Sequence, residues 1–260
     1  MGQIFVISGA DFSRKNLGKV VIPRNDLNEV TKLILEKFSG VISDDTKYKF
    51  DNFVTTLVSK NIWDKLISLN LPILASSKEE ACQDVIGNYP IGGIDIESVT
   101  FDSNKRCLNT LNFNTTYDIH VNLQNIAIGF YCITTNDITR NLDKKNTIIC
   151  GGSSSCIFRF VGSPITNYKN LKAVSLNGKI NGVRIISNYG ATDITKMHGM
   201  QGGILATETP NVVEEGINES SSTIMLNWGR ADENYISFMS SYLTADEVSI
   251  IGKAITELVE

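Results

Sequence analysis

At 260 residues, with 42% apolar and 20% charged side chains, the chain has the balance of a folded globular protein with a sizeable core, which excludes an intrinsically disordered one. A net charge of -4 and 24 scattered Lys and Arg residues, never longer in a run than pairs such as Arg14-Lys15 and Lys144-Lys145, exclude a phosphate-binding basic face, so no nucleic-acid partner is expected. The longest apolar run, residues 126–133, is less than half the roughly 20 residues that a membrane helix needs, and no membrane partner is expected either.

Met1-Gly2-Gln3-Ile4-Phe5-Val6 has no basic start and no apolar stretch of signal-peptide length. Val6 stands where a myristoylation signal needs Ser or Thr, so export or lipid anchoring is not expected. Helical periodicity runs from residue 25 to residue 88. Asn25 is suited to cap a helix with Leu27, Val30, Ile34 and Phe38 on one face and Gly40 as its stop. Ser43, followed by Asp44 and Asp45, starts a second helix with Phe50, Phe53, Val54, Leu57 and Val58 on one stripe. Pro72 breaks the segment after Trp63, and Ser77 with Glu80 makes a capping box for a third, brief helix through about Val85.

From Gly92 the pattern changes to short apolar or alternating runs punctuated by Gly, Asn, Asp and Pro. They fall at residues 94–101, 126–133, 147–150, 156–161, 171–176, 182–186, 203–207, 223–228 and 235–239, with Asn177-Gly178 and Asn181-Gly182 as hairpin-type turns. Many short strands without intervening helices indicate a mainly β protein, an antiparallel sandwich or jelly roll. Residues 211–222, rich in Glu, Asn and Ser, read as a long exposed loop. Thr244 and Glu247 form another capping box, after which Val248, Ile251, Ile255 and Leu258 repeat at helical spacing.

No catalytic constellation and no cofactor site is read from the residues. The chain has two histidines, His120 and His198, neither in a nucleophile or zinc signature. Gly151-Gly152-Ser153-Ser154-Ser155 lacks the second glycine of a nucleophile elbow. Asp95 and Glu97 share one side of a strand by the period of two, but Gly93 replaces the first carboxylate of the E-x-D-x-E pattern of sandwich-fold glucanases. Oxygen-rich loops at residues 136–143 and 232–234 do not match an EF-hand, and no metal is expected. Five cysteines without a CxxC pair read as buried free thiols in a reducing compartment. Trp228, Arg230, Asp232, Asn234 and Tyr235 form the one candidate carbohydrate platform, two aromatics with polar neighbours, set against the alternative that Trp228 ends a core strand.

Three segments carry a resemblance: residues 6–20 (Val-Ile-Ser-Gly-Ala-Asp-Phe-Ser through Asn16-Leu17-Gly18-Lys19-Val20), residues 62–75 (Ile-Trp-Asp-Lys-Leu to Leu-Pro-Ile-Leu-Ala), and residues 241–248 (Ser-Tyr-Leu-Thr-Ala-Asp-Glu-Val). The arrangement resembles virion structural proteins of tailed bacteriophages, some of them phages of gut Bacteroides, with a concanavalin A-like, laminin-G-like domain. The resemblance implies a non-enzymatic head fibre, auxiliary capsid protein or tail component, folded in the bacterial host cytoplasm and assembled into the virion. Residues 1–90 are then expected as a helical docking region and residues 91–260 as a concanavalin A-like β-sandwich with a C-terminal helix. The expected docking or oligomer stripe is Leu27, Val30, Ile34, Phe38, Phe53, Leu57 and Trp63. Its partners would be other virion proteins, further copies of the chain in a trimer, and a host-surface glycan. The alternatives are a lectin-like module of a cellular protein and a sandwich-fold glycoside hydrolase.

Overall fold

The computed structural model describes residues 27–87, 99–109, 127–133, 182, 183, 185, 187 and 233–260, and the backbone alone of residues 125, 126, 184, 186, 188 and 189 and of strands at 115–117, 147–149, 158–161, 168–171, 198–201, 204–206 and 224–227. Asn25, Gly93, Asp95, Glu97, His120, Cys150, the 151–155 loop, Cys156, the Asn177-Gly178 turn, Trp228, Arg230 and Asp232 lie outside the described residues, as do the 136–143 and 211–222 loops.

The helices start where hydrogen-bonding side chains can serve their first N–H groups. Helix α1 (Glu29–Leu35) begins at Asn28, whose side chain accepts from the Val30 N–H while its own N–H donates to Asp51 Oδ1 at 2.8 Å. This long-range anchor, invisible locally, moves the start from the expected Asn25. Helix α2 (Asp44–Ser59) begins at Ser43 as expected, with Asp44 and Asp45 placed favourably at the positive end of the helix dipole. It ends in a Schellman arrangement, Asn61 turning left-handed at φ 57 and the Ile62 N–H reaching the Leu57 carbonyl at 2.9 Å.

Strand β1 (Leu66–Asn70), which no periodicity announced, follows a 3-10 turn at Trp63–Lys65. Helix α3 (Lys78–Cys82) is capped by Ser77 but stops short of Val85. Asp84 Oδ1 accepts from the Leu69 N–H and the Val85 N–H donates to the Leu69 carbonyl, pulling the chain back along β1.

The remaining strands are β2 (Thr100–Asp102), β3 (Cys107–Asn109), β4 (Thr115–Tyr117), β5 (Asn125–Ile133), β6 (Thr147–Ile149), β7 (Phe158–Val161), β8 (Tyr168–Leu171), β9 (Gly182–Tyr189), β10 (His198–Gln201), β11 (Ile204–Ala206), β12 (Ile224–Asn227) and β13 (Glu233–Ser241). Most fall on the expected apolar runs. Strand β8 lies earlier than its run at 171–176, and β3, β4 and β10 are too short and polar to show a period. Helix α4 (Ala245–Val259) closes the chain with the full Thr244–Glu247 capping box.

Among the described residues eight strands form an antiparallel sheet in the order β11-β10-β9-β5-β13-β3-β2, with β1 also on β13. β1 pairs with the second half of β13 (Leu66↔Ser240, Asn70↔Ser237) and β3 meets its first half at Asn234↔Leu108, so the two share one edge. Three strands form a second sheet, β4-β12-β6, and β7 pairs with β8.

Register places Tyr131, Gly129 and Ala127 of β5 beside Val183, Ile185 and Ser187 of β9 and Ile236, Phe238 and Ser240 of β13, all on one face by the period of two. Helix α4 covers this face. The Tyr131 hydroxyl donates to Glu260 Oε1 at 3.0 Å, and Ser187 Oγ both donates to the Leu243 carbonyl and accepts from its N–H. α2 packs on α4, and α1 on α2. The opposite face carries Ile128, Phe130, Cys132, Ser237 and Met239, also buried. Strands covered on both sides need apolar residues at successive positions, which is why residues 126–133 read as one apolar run.

The described part is thus an antiparallel sheet with helices layered on it, more helical than a mainly β chain suggests. The expected docking stripe is corrected. Ile34, Phe38, Phe53 and Leu57 are buried in the same core as the sheet, with Val30 and Trp63 packed partly buried against it. Burying Phe53 and Leu57 is worth roughly 1.5–3 kcal/mol each, so the nearest apolar surface, the chain's own core beneath α2, where α4 packs, claims them. Leu27 is half-buried. The boundary expected at residue 90 falls outside the described residues, but β1 from the front end is a full member of the main sheet, so residues 27–87 are not a separate arm.

Candidate functional site

A groove of about 410 Å³ opens where three parts of the chain meet. The α1–α2 connection and the first turn of α2 supply Val41, Ser43 and Thr46. The β2–β3 turn supplies Asn104, Lys105 and Arg106. Ile73, Tyr235 and Val259 complete the lining. Val41 is 89% exposed, an unusual position for an aliphatic side chain beside a cleft.

The β2–β3 turn is shaped by Asp102, whose Oδ1 accepts from the N–H groups of Asn104 (2.9 Å) and Lys105 (3.1 Å). Arg106 follows in the left-handed region at φ 51, which costs a non-glycine residue about 1 kcal/mol or more. The turn aims its guanidinium across the groove, where Nη2 donates to the Val41 carbonyl at 2.7 Å and ties the two walls together.

Tyr235 reaches the groove because the β5–β13 register shifts between Asn234 and Ile236, making it the extra residue of a bulge. Its hydroxyl donates to Glu233 Oε2 at 2.6 Å, and Lys105 Nζ is bound to Glu233 Oε1. The Tyr131 ring meets Tyr235 edge-on, with centroids 6.0 Å apart. Hydrogen bonds from Lys105 and then Tyr235 hold the Glu233 carboxyl below the usual carboxylate range. Burial, reinforced by Glu233, pushes the Tyr235 phenol up. Burial likewise raises Tyr131 to about 12 and the nearby Cys107 thiol to about 11.

Of the expected platform, the structure describes two members and separates them. Tyr235 lines the groove, whereas Asn234 is fully buried on the other side of the bulge, its Oδ1 accepting from Ser237 Oγ and its Nδ2 without a hydrogen-bond partner among the described residues. Asn234 is therefore corrected from a surface ligand to a core residue: the bulge turns adjacent positions to different environments. Sequence reasoning missed Val41, Lys105, Arg106 and Glu233. The Asp-Ser-Asn start of the turn was the available signal, but nothing local marks Arg106 as left-handed.

Among the described residues Cys82 and Cys107 are buried free thiols, as expected, Cys132 is buried, and burial pushes Cys82 up to about 12. Among the described residues no His, Cys, Asp and Glu side chains gather as a metal-binding group, and no described helix is long and apolar enough to cross a membrane. No family model, curated protein or solved structure matches the chain.

Proposed function

We propose that this chain is a non-enzymatic structural protein of a tailed-bacteriophage virion, serving as a head fibre, auxiliary capsid protein or tail component. On this reading the strand-rich middle completes a concanavalin A-like, lectin-like sandwich, displayed outward, and the protein folds in the host cytoplasm before assembling with other virion proteins and further copies of itself. The family resemblance of the opening, the 62–75 segment and the 241–248 segment supports it.

The observation that favours the non-catalytic part is that the carboxylate at the groove is already taken up, with Lys105 Nζ on Glu233 Oε1 and the Tyr235 hydroxyl donating to Oε2. A general acid or base works best with a proton affinity near the working pH. Here Lys105 and Tyr235 hold Glu233 ionised, and burial together with that carboxylate keeps the Tyr235 phenol protonated. Groups so matched to one another suit a surface that recognises rather than one that trades protons. Buried thiols with raised proton affinity accord with folding in a reducing compartment.

Immunogold electron microscopy with antibody against the whole recombinant chain tests the reading. Label at one place on heads or tails supports it. Unlabelled particles beside labelled cells refute it and leave a cellular lectin-like module. Carbohydrate binding is a second reading, favoured by Tyr235 standing in a groove with Asn104 and Lys105. A glycan array tests it: Tyr235→Ala should abolish any signal that depends on this groove.

A further inference from the structure

Two cations reach the groove, and they are in different states. Lys105 is matched by Glu233. Arg106 is in no ion pair among the described residues, and its one described hydrogen bond goes to the neutral Val41 carbonyl. A guanidinium carries five N–H donors in a planar fork, so most of its donors have no partner among the described residues, with a full charge behind them. Of the acidic residues near in sequence, Asp102 in the same turn accepts from the Asn104 and Lys105 N–H groups, and Asp44 and Asp45, just past Val41, pair with Lys47 and Lys49 on their own helix.

Beside this unmatched cation, Val41 stands 89% exposed, and Ile73 and Val259 continue the apolar lining. The site is an open trough between a loop and a turn rather than an enclosed cavity. Its chemistry is complementary to a carboxylate and an aliphatic side chain on one side of a chain, two residues apart, and its open shape suits extended chain passing through. The Arg106 bond to Val41 presets both walls, so little ordering remains for the occupant to impose.

We propose that this groove docks an extended segment of a partner protein presenting an acidic and an aliphatic side chain two residues apart, and so on the same side of the chain. The carboxylate pairs with the Arg106 fork, and the aliphatic side chain covers Val41, Ile73 and Val259. The inference deepens the reading of the chain as an assembly component by naming the chemistry of the partner, and it rests on that reading only for the partner's setting.

The test uses the whole chain and two fluorescein-labelled octapeptides, one repeating Glu-Ser-Val-Ser (the Glu-Val peptide) and one repeating Gln-Ser-Val-Ser (the Gln-Val peptide), so that the acid or amide and the aliphatic side chain share one face, followed by anisotropy. The expected result is saturable binding of the Glu-Val peptide, at least ten-fold weaker for the Gln-Val peptide, for Arg106→Gln and for Val41→Ser. Arg106→Lys should recover only part of the affinity, because an ammonium lacks the fork. Val58→Ser, on α2 and away from the groove, should bind as the unaltered chain does. Val41→Ser guards against misfolding as the cause, since so exposed a side chain contributes little to the core.

Equal binding of the two peptides, undiminished binding by Arg106→Gln, or no binding of the Glu-Val peptide at millimolar protein would overturn the proposal. Self-association of the chain that Arg106→Gln abolishes would overturn the foreign partner and make a second copy the occupant. Groove and virion readings fail separately. Labelled particles with no peptide binding sink the groove alone, whereas peptide binding with unlabelled particles upholds the groove and sinks the virion.

Discussion

Gly129 lies at the centre of the sheet, between Phe238 of β13 and Ile185 of β9 in register. A Cβ added there would sit 2.3 and 2.6 Å from two atoms of the Phe238 ring and 2.8 Å from Ile185 Cγ1. Phe238 and Ile185 are fully buried, and each is held by the strands on either side of Gly129, so neither can retreat without moving its own strand. Overpacking of a core costs typically 1–3 kcal/mol, and three contacts this short place Gly129→Ala near the upper end, about 3 kcal/mol. For a chain of this size that is a fall of about 6–12 °C in the melting midpoint, followed by circular dichroism at 222 nm.

Phe238→Leu supplies the internal control. Alone it should destabilise by about 1–2 kcal/mol through the space it leaves. Combined with Gly129→Ala it should cost at least about 1 kcal/mol less than the sum of the two, because the shortened side chain makes room for the new methyl group. A Gly129→Ala protein melting within about 2 °C of the unaltered chain, or strict additivity in the double variant, would refute the packing argument.

Three further perturbations follow from the same structure. Glu80 is raised by burial, but hydrogen bonds from the N–H and hydroxyl groups of Ser39 and Ser76 overcome this and hold it at about 2. A folded value below the ordinary 4.5 means stability present above about pH 4.5 and lost as the pH falls towards 2. Glu80→Gln should therefore destabilise by about 1–2 kcal/mol at neutral pH, after allowance for solvent screening, and the gap in thermal midpoint from the unaltered chain should shrink in that acid window. Ser187→Ala leaves both backbone groups of Leu243 without their buried partner and should cost about 2–3 kcal/mol in urea unfolding, with faster exchange of the Leu243 amide. Cys82 and Cys107, buried and raised to about 12 and about 11, should resist thiol labelling in the native protein at pH 8 and react in denaturant, read residue by residue by mass spectrometry.

Caps were the most legible part of the fold. Ser43, Ser77 and Thr244 each accept from the N–H three residues on, an interaction complete within one turn and therefore written in adjacent residues. The Glu80 that was to complete the Ser77 box shows where this stops. Its carboxylate is drawn to Ser39 and Ser76, so the same Ser-x-x-Glu spacing serves a tertiary tie instead of a reciprocal cap. Of the candidate site, Tyr235 was legible as an aromatic beside polar residues. Its separation from Asn234 was not, because only the bulge against β5 decides which way each points.

The sequence by itself determined which segments are helical, where most of them begin, and the longer apolar strands of the later chain, since capping bonds and apolar periodicity act between residues a few positions apart. The tertiary structure alone decided what those elements are used for. It turned the apolar stripe of α2 inward onto α4, added β1 to the edge of β13, and joined Lys65 to Glu247 across 182 residues. It also set Arg106 in the left-handed region facing Val41. Each of these choices compares the burial of one surface against another far along the chain, and no local preference encodes that comparison.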